Sequence, residues 1–281
     1  MFENRISGQN NRIRGINTSK FTPKIATPCM LATHIGHLFE VLPTVDSTNL
    51  YAMRLLRAGM AQHGQAIFAT EQTAGRGQRG KTWWSSAGEN IHLSVILSTD
   101  SLSATAGFRV MVAMALGVVE SLKTVEPNGW VIKWPNDLYY NDRKAGGILL
   151  ENVWYGGKWQ WAVAGIGINV NTLHFNPAVP NATSLRAITG EMYDPIDLAK
   201  RLCHHLETHW KQLHAAGGWV DLLMEYNQHL FGRGEWHRLR LGNSVASYRI
   251  NGVDDQGHLL AGTSNEFRFA HGEVQWVLPR V

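Results

Sequence analysis

Residues 75–82 read GRGQRGKT and satisfy the nucleotide-binding P-loop pattern GxxxxGK[ST] letter for letter. A P-loop holds phosphates because its glycine-rich turn opens a helix whose first amides and dipole point at them. Here Thr82 is followed by Trp83-Trp84-Ser85-Ser86-Ala87-Gly88-Glu89-Asn90, a poor helix start that runs straight into an apolar strand. The chemistry left is that of a glycine-rich loop bearing Arg76 and Arg79. Its glycines let backbone approach a ligand closely, and guanidinium forks suit phosphate oxygens. A solvated surface loop is the competing reading of the same residues.

A second chemical signal is Lys133, set in Trp130-Val131-Ile132-Lys133-Trp134-Pro135-Asn136-Asp137. An unpaired ammonium among aromatic and β-branched residues is costly, so an anion should meet it unless the side chain faces solvent. Strand alternation puts Lys133 on the face of Val131, opposite Ile132 and the two tryptophans. Asp137 could hold magnesium through its oxygens or simply cap the turn. Arg143 and Lys144 lie beside the next turn and add positive charge. In AGIGINVN, residues 164–171, two glycines alternate on one strand face. Glycine weakens a sheet unless another group must come close, so a flat ring packed on Gly165 and Gly167 is the sharper reading. A β-bulge with Asn169 capping the strand is the plainer one.

The elements that must position these residues follow from periodicity. Leu38–Leu42 reads as a strand; Val45-Asp46-Ser47-Thr48-Asn49 then caps an amphipathic helix carrying Leu50, Met53, Leu55 and Leu56. Ala66–Thr70 and Ile91–Leu97 read as strands around the loop, and residues 104–123 as a helix. Trp130–Trp134, Ala145–Trp154 and Trp159–Val170 form an antiparallel meander, with turns at Asn141-Asp142 and Tyr155-Gly156-Gly157. Helices follow at about 194–214 and 217–229. Beyond Phe231-Gly232-Arg233-Gly234 short strands and turns suggest a separate small β barrel.

Composition sets the limits. The 281 residues, 44% hydrophobic and 17% charged, describe a globular protein large enough for a main domain and an appendage. A net charge of +4, scattered along the chain, suits an anionic ligand better than a nucleic-acid track. The longest apolar stretch, Val110–Val119, is too short to span a bilayer. Two cysteines, Cys29 and Cys203, argue against a disulfide framework and fit a reducing compartment. Residues 1–37 show no sustained periodicity and are read as a disordered leader; organelle targeting is the alternative to a cytoplasmic location. Cys203, His204, His205 and His209 share one helix but lack a metal-ligand motif.

Several motifs together resemble the biotin protein ligase family: VDSTN at 45–49, EQTAGRGQRG at 71–80, KWPNDLY at 133–139, RKAGGILLE at 143–151 and GIGINVN at 165–171. GVDDQGHLL and HGEV near the end are similar to the family's C-terminal SH3-like barrel. The resemblance implies an α+β fold: a mixed or antiparallel sheet with helices packed on it, like a class II synthetase, over 38–231, and an SH3-like domain over 232–281. It implies that Ser47, Thr48, Asn49 and Gln72 line a biotin ureido site. Gly75, Arg76, Gly77 and Gln78 would close over biotin and the activated phosphate, with Trp83 near the adenine. Lys133 would contact the reacting carboxylate and α-phosphate, Arg76 would share the catalytic role, and Gly165, Gly167 and Asn169 would border the ligand.

The substrates implied are biotin and ATP with Mg2+, the latter through Asp137. The partner implied is a biotin carboxyl carrier domain, with no DNA and no membrane, and the enzyme would act as a monomer or homodimer. One departure is Gln78, where the family's best-known loops read GRGRRG; it removes a positive charge that helps retain the adenylate, unless Arg79 and Lys81 compensate. A second is the lack of room in the short leader for a DNA-binding winged helix. A lipoate or octanoate ligase on the same scaffold is the nearest rival, and a noncatalytic biotin-binding regulatory module the alternative of another class.

Overall fold

The computed structural model describes residues 34–176, 179, 181–264 and 266–278. Most of the leader, Cys29 and any targeting signal therefore lie outside the described residues. In chain order the elements are β1 (Phe39–Val45), α1 (Thr48–Arg57), β2 (Ala66–Gln72), β3 (Asn90–Ser98) and α2 (Gly107–Lys123). Next come β4 (Trp130–Lys133), β5 (Asp137–Tyr140), β6 (Arg143–Tyr155) and β7 (Lys158–Asn169). Then follow α3 (Leu185–Thr189), α4 (Pro195–His214) and α5 (Gly218–Gln228), and after them β8 (Trp236–Leu241), β9 (Ser244–Val253), β10 (Leu259–Ala261), β11 (Phe267–Phe269) and β12 (Val274–Trp276).

The first seven strands form one sheet in the order β1-β2-β3-β7-β6-β5-β4. β1 and β2 are parallel because α1 crosses between them, and every other neighbour is antiparallel. Strand alternation then decides what each face carries. Leu93, Val95 and Leu97 of β3, with Ala162, Ala164, Ile166 and Ile168 of β7, join the main core with α2, α4 and α5. The opposite face holds Ile67, Ile96 and Val163 under Ala52 and Leu56 of α1. On that thinner side lie the glycines of β7 and, opposite them, the polar residues His92 and Ser94 of β3.

The α+β architecture expected from the sequence is the one found. Two elements escaped the periodicity: β5, hidden behind Trp134-Pro135-Asn136, and the single-turn-and-a-half α3. The turn at 156–157 has two left-handed glycines, φ 56° and 76°, as a two-residue hairpin of this type requires. The leader boundary needs correction. Ile35 is 2% exposed and its amide donates to Glu207 of α4 at 2.9 Å, so 34–37 pack onto the fold rather than belonging to a disordered segment. No helix among the described residues is long and apolar enough to cross a membrane.

β8–β12 form a five-stranded antiparallel sheet in the order β11-β10-β9-β8-β12. It is joined to the main core through Leu239, Ile250, Leu259 and Phe269. A further tie is polar: the Trp134 indole donates to the Gly257 carbonyl at 3.0 Å.

Candidate active site

A cavity of about 870 Å³ opens on the α1 side of the large sheet, walled by the 75–83 loop and by the edge of the C-terminal sheet. One end is polar. Ser47 precedes α1 in extended backbone, φ −158° and ψ 136°, yet its side chain makes no capping bond. Gln72 does that work from β2: its Oε1 accepts from the Thr48 amide at 2.9 Å and from Thr48 Oγ1 at 3.2 Å. Ser94 of β3 places its hydroxyl 2.7 Å from Thr48 Oγ1 and 2.6 Å from Asn49 Oδ1. Asn49 Nδ2 donates to Glu151 of β6 at 2.8 Å. Thr48, Asn49 and Ser94 are all at most 4% exposed, and buried polar groups are tolerated when bonded in this way. The result is a fixed set of donors and acceptors at a helix N-terminus, suited to a small polar ring.

The loop is a hairpin and not a helix start, which removes the P-loop reading. Arg76 and Thr82 bridge as antiparallel partners, and the Gly77 amide donates to the Lys81 carbonyl at 2.7 Å. Gln78–Gly80 form a 3-10 turn with Arg79 at φ 56°. Gly75 must be glycine, since a Cβ there would lie 2.4 Å from the Trp83 carbonyl oxygen. Gly77 and Gln78 line the cavity, as the sequence suggested. Arg76 lines the same cavity, and its guanidinium also pairs with Glu151 at 3.1 Å. It thereby ties the loop to β6, and the cavity carries further positive charge.

That charge is Lys133 and Lys144. The Lys133 side chain is 14% exposed, 3.8 Å from Asp137, and its ammonium lies over the rings of Tyr139 and Trp276 at 5.4 and 5.7 Å. Burial pushes its pKa below the ordinary lysine value, Asp137 opposes that shift, and Lys144 and Lys81 reinforce it. Lys144 Nζ reaches Asp137 Oδ1 at 2.5 Å. Asp137 is thus a counter-ion held between two ammoniums. Among the described residues no group of three or more His, Cys, Asp or Glu side chains could hold a metal, the α4 histidines included.

The two glycines of β7 are regular, paired with Ser94 and His92 of β3, and the bulge in this hairpin lies instead at Val153/Trp154. A Cβ at Gly165 would meet Asn49 Oδ1 at 2.2 Å, and one at Gly167 would meet the Trp83 ring at 2.7 Å. The flat ring on the glycines is therefore, at 167, the protein's own indole. Asn169 faces the same cavity while its Nδ2 donates to the Thr183 carbonyl at 3.0 Å, fixing the segment before α3.

Sequence reasoning passed over Ser94, Glu151 and Trp276 and gave Lys144 only a general positive charge. Ser94 and His92 were visible as polar positions alternating with Ile91, Leu93 and Val95. His92 is 1% exposed, shares a hydrogen at 2.6 Å with Ser85 Oγ beyond the loop, and has its pKa lowered by burial. Trp276 gave no signal, because only the tertiary fold brings it to Lys133.

A cavity polar at one end and cationic at the other, on a sheet of this order, can take a ligand with one neutral polar end and one anionic end. The model of the Biotin/lipoate A/B protein ligase family matches residues 41–169. The chain is 31% identical over 225 residues to the biotin--[acetyl-CoA-carboxylase] ligase of Paracoccus denitrificans, covering 78% of this chain and 92% of that one. It belongs to the biotin protein ligase family. The biotin protein ligase from Aquifex aeolicus in complex with biotin and ATP superposes with a TM-score of 0.72 at 25% identity, over 86% of this chain and 99% of that chain. The bifunctional ligase/repressor BirA of Escherichia coli is 38% identical over 148 residues, which is 52% of this chain but 44% of BirA. The chain thus matches less than half the length of that relative.

Proposed function

We propose that the protein is an ATP-dependent biotin ligase that makes biotinyl-5'-AMP and transfers biotin to a lysine of a carboxyl carrier domain. The observation that carries this reading is the single cavity shared by the Ser47–Asn49, Gln72 and Ser94 set and by Lys133 and Lys144. Seated at the polar end, biotin's ureido ring would direct its carboxylate toward the lysines. The carboxylate oxygen attacks the α-phosphorus of ATP and expels pyrophosphate; the two lysines offset the meeting of anions. The acceptor amine then attacks the acyl carbon, an amide forms as AMP leaves, and the amine's proton goes to solvent. The loop hairpin keeps water from the mixed anhydride in the interval. No step requires a serine or cysteine nucleophile, and Asp137 is not assigned a metal.

The test is biotin-dependent exchange between ATP and pyrophosphate, followed by labelling of a carrier domain. Exchange that responds to lipoate or octanoate and not to biotin would move the protein to the rival specificity. Tight biotin binding without exchange would make it a binding module.

A further inference from the structure

The tip of the loop reaches beyond the catalytic sheet. Arg79 Nη1 donates to the Gly272 carbonyl at 3.2 Å, and Nη2 to the His271 carbonyl at 3.3 Å. One planar guanidinium thus spans two successive carbonyls of the turn before β12, the fork geometry that arginine supplies and lysine does not. Both partners are shaped for it. Arg79 itself sits in the left-handed region, φ 56°, which swings its side chain out from the hairpin. Gly272 is at φ 91°, and a Cβ there would lie 1.0 Å from Arg79 Nη2, so only glycine leaves room for the guanidinium. The receiving turn is in turn braced: the His271 ring meets the Trp134 ring edge-on at 6.0 Å, and Glu273 Oε2 accepts from the Ala270 amide at 2.8 Å.

We infer that Arg79 is a positioning residue that latches the loop to the C-terminal sheet, so that the small domain holds the lid of the site shut over the activated intermediate. The proposal rests on the ligase reading above. It gives the two loop arginines separate tasks: Arg76 ties the hairpin's base to Glu151 of β6, and Arg79 ties its tip to His271 and Gly272. The loop is then a strap fastened at both ends. Arg79 is accordingly engaged by carbonyl oxygens and does not replace the charge missing at Gln78.

The test separates retention of the intermediate from its formation. Labelled biotinyl-adenylate is formed on the full-length enzyme from stoichiometric biotin and ATP, and its escape into excess unlabelled biotin is timed. Loss of two exposed charge-assisted hydrogen bonds should speed escape from Arg79→Ala about tenfold, while the rate of adenylate formation stays within about twofold. Arg79→Lys, with one point donor, should fall between the two. Unchanged escape from Arg79→Ala, or an equal loss in formation, overturns the latch. Hydrogen exchange on the free protein is the second readout: Arg79→Ala should speed exchange in 75–82 and also in 270–273. Faster exchange confined to the loop overturns the link to the C-terminal sheet. If the wild-type protein makes no adenylate, the ligase reading fails, and the exchange measurement still decides the latch.

Discussion

Replacing Gly165 by alanine perturbs the polar end of the cavity through one methyl group. The added Cβ would lie 2.2 Å from Asn49 Oδ1 and 2.8 Å from its Cγ, far inside contact distance. Gly165 cannot retreat, because its strand is paired on both sides, with Ser94 and with Leu149. Asn49 must therefore move, and it is 3% exposed and held by the Ser94 hydroxyl at 2.6 Å and by Glu151 at 2.8 Å. Losing a neutral hydrogen bond costs about 1 kcal/mol and one to a carboxylate about 2 kcal/mol. Gly165→Ala should thus destabilise the protein by about 3 kcal/mol and weaken biotin binding by about two orders of magnitude. Urea unfolding and calorimetric titration with biotin measure the two effects. The double variant with Asn49→Ala provides an internal control: once the amide is gone the methyl has space, so the second change should add far less than its own single effect. A Gly165→Ala protein within about 0.5 kcal/mol of wild type and with unaltered biotin affinity would refute the claim that Asn49 is rigidly held.

Four further outcomes are expected. Lys133→Ala should lower ATP–pyrophosphate exchange by about 10²- to 10³-fold with the fold intact, since Asp137 keeps Lys144; near-normal exchange sinks the assignment. Because burial lowers the Lys133 pKa and its ammonium is the active form, exchange should fail with rising pH before an ordinary lysine would titrate, and Asp137→Asn should move that limb lower still in a pH–rate profile. Gln78→Arg should slow adenylate escape about two- to fivefold by adding one partly exposed charge; an unchanged or faster rate removes the idea that Gln78 leaks. His92, with its folded pKa lowered by burial, favours folding above the unfolded value of 6.5, and that contribution is lost as pH falls from there toward the lowered folded value. Thermal melts from pH 7 to 5 should show a decline that His92→Gln reduces.

Much of this arrangement was legible because it is local. The VDSTN helix start, the glycine loop and the Lys133 strand each announce themselves through types and spacing that ordinary structure does not favour, although Gln72 and not the predicted cap satisfies the first amide. Alternation alone put Lys133 on the correct face and paired Gly165 with Gly167. What failed to show was tertiary. Nothing near Arg76 in sequence indicates that Glu151, seventy-five residues on, will take its guanidinium. Nothing near Asp137 says that a lysine from the next strand will reach its carboxylate. Trp276 and the 271–272 carbonyls reach the cavity only because the C-terminal sheet docks through Trp134 and Gly257. β5 was missed for a different reason: Pro135 reads as a strand end, and four residues between two turns carry too short a period to register.

The order β1-β2-β3-β7-β6-β5-β4 also has a kinetic consequence. β3 meets β7 from 79 residues away where Asn90 stands opposite Asn169, and the polar pocket lies across that seam. Pairings so distant in sequence close late, because the loop entropy is lost before the contacts can repay it. Until that seam closes, a chain emerging from synthesis therefore has no assembled pocket. Chemical competence should appear in a single step with the final closure of the sheet, and refolding followed by adenylate formation should lag behind helix formation followed by circular dichroism.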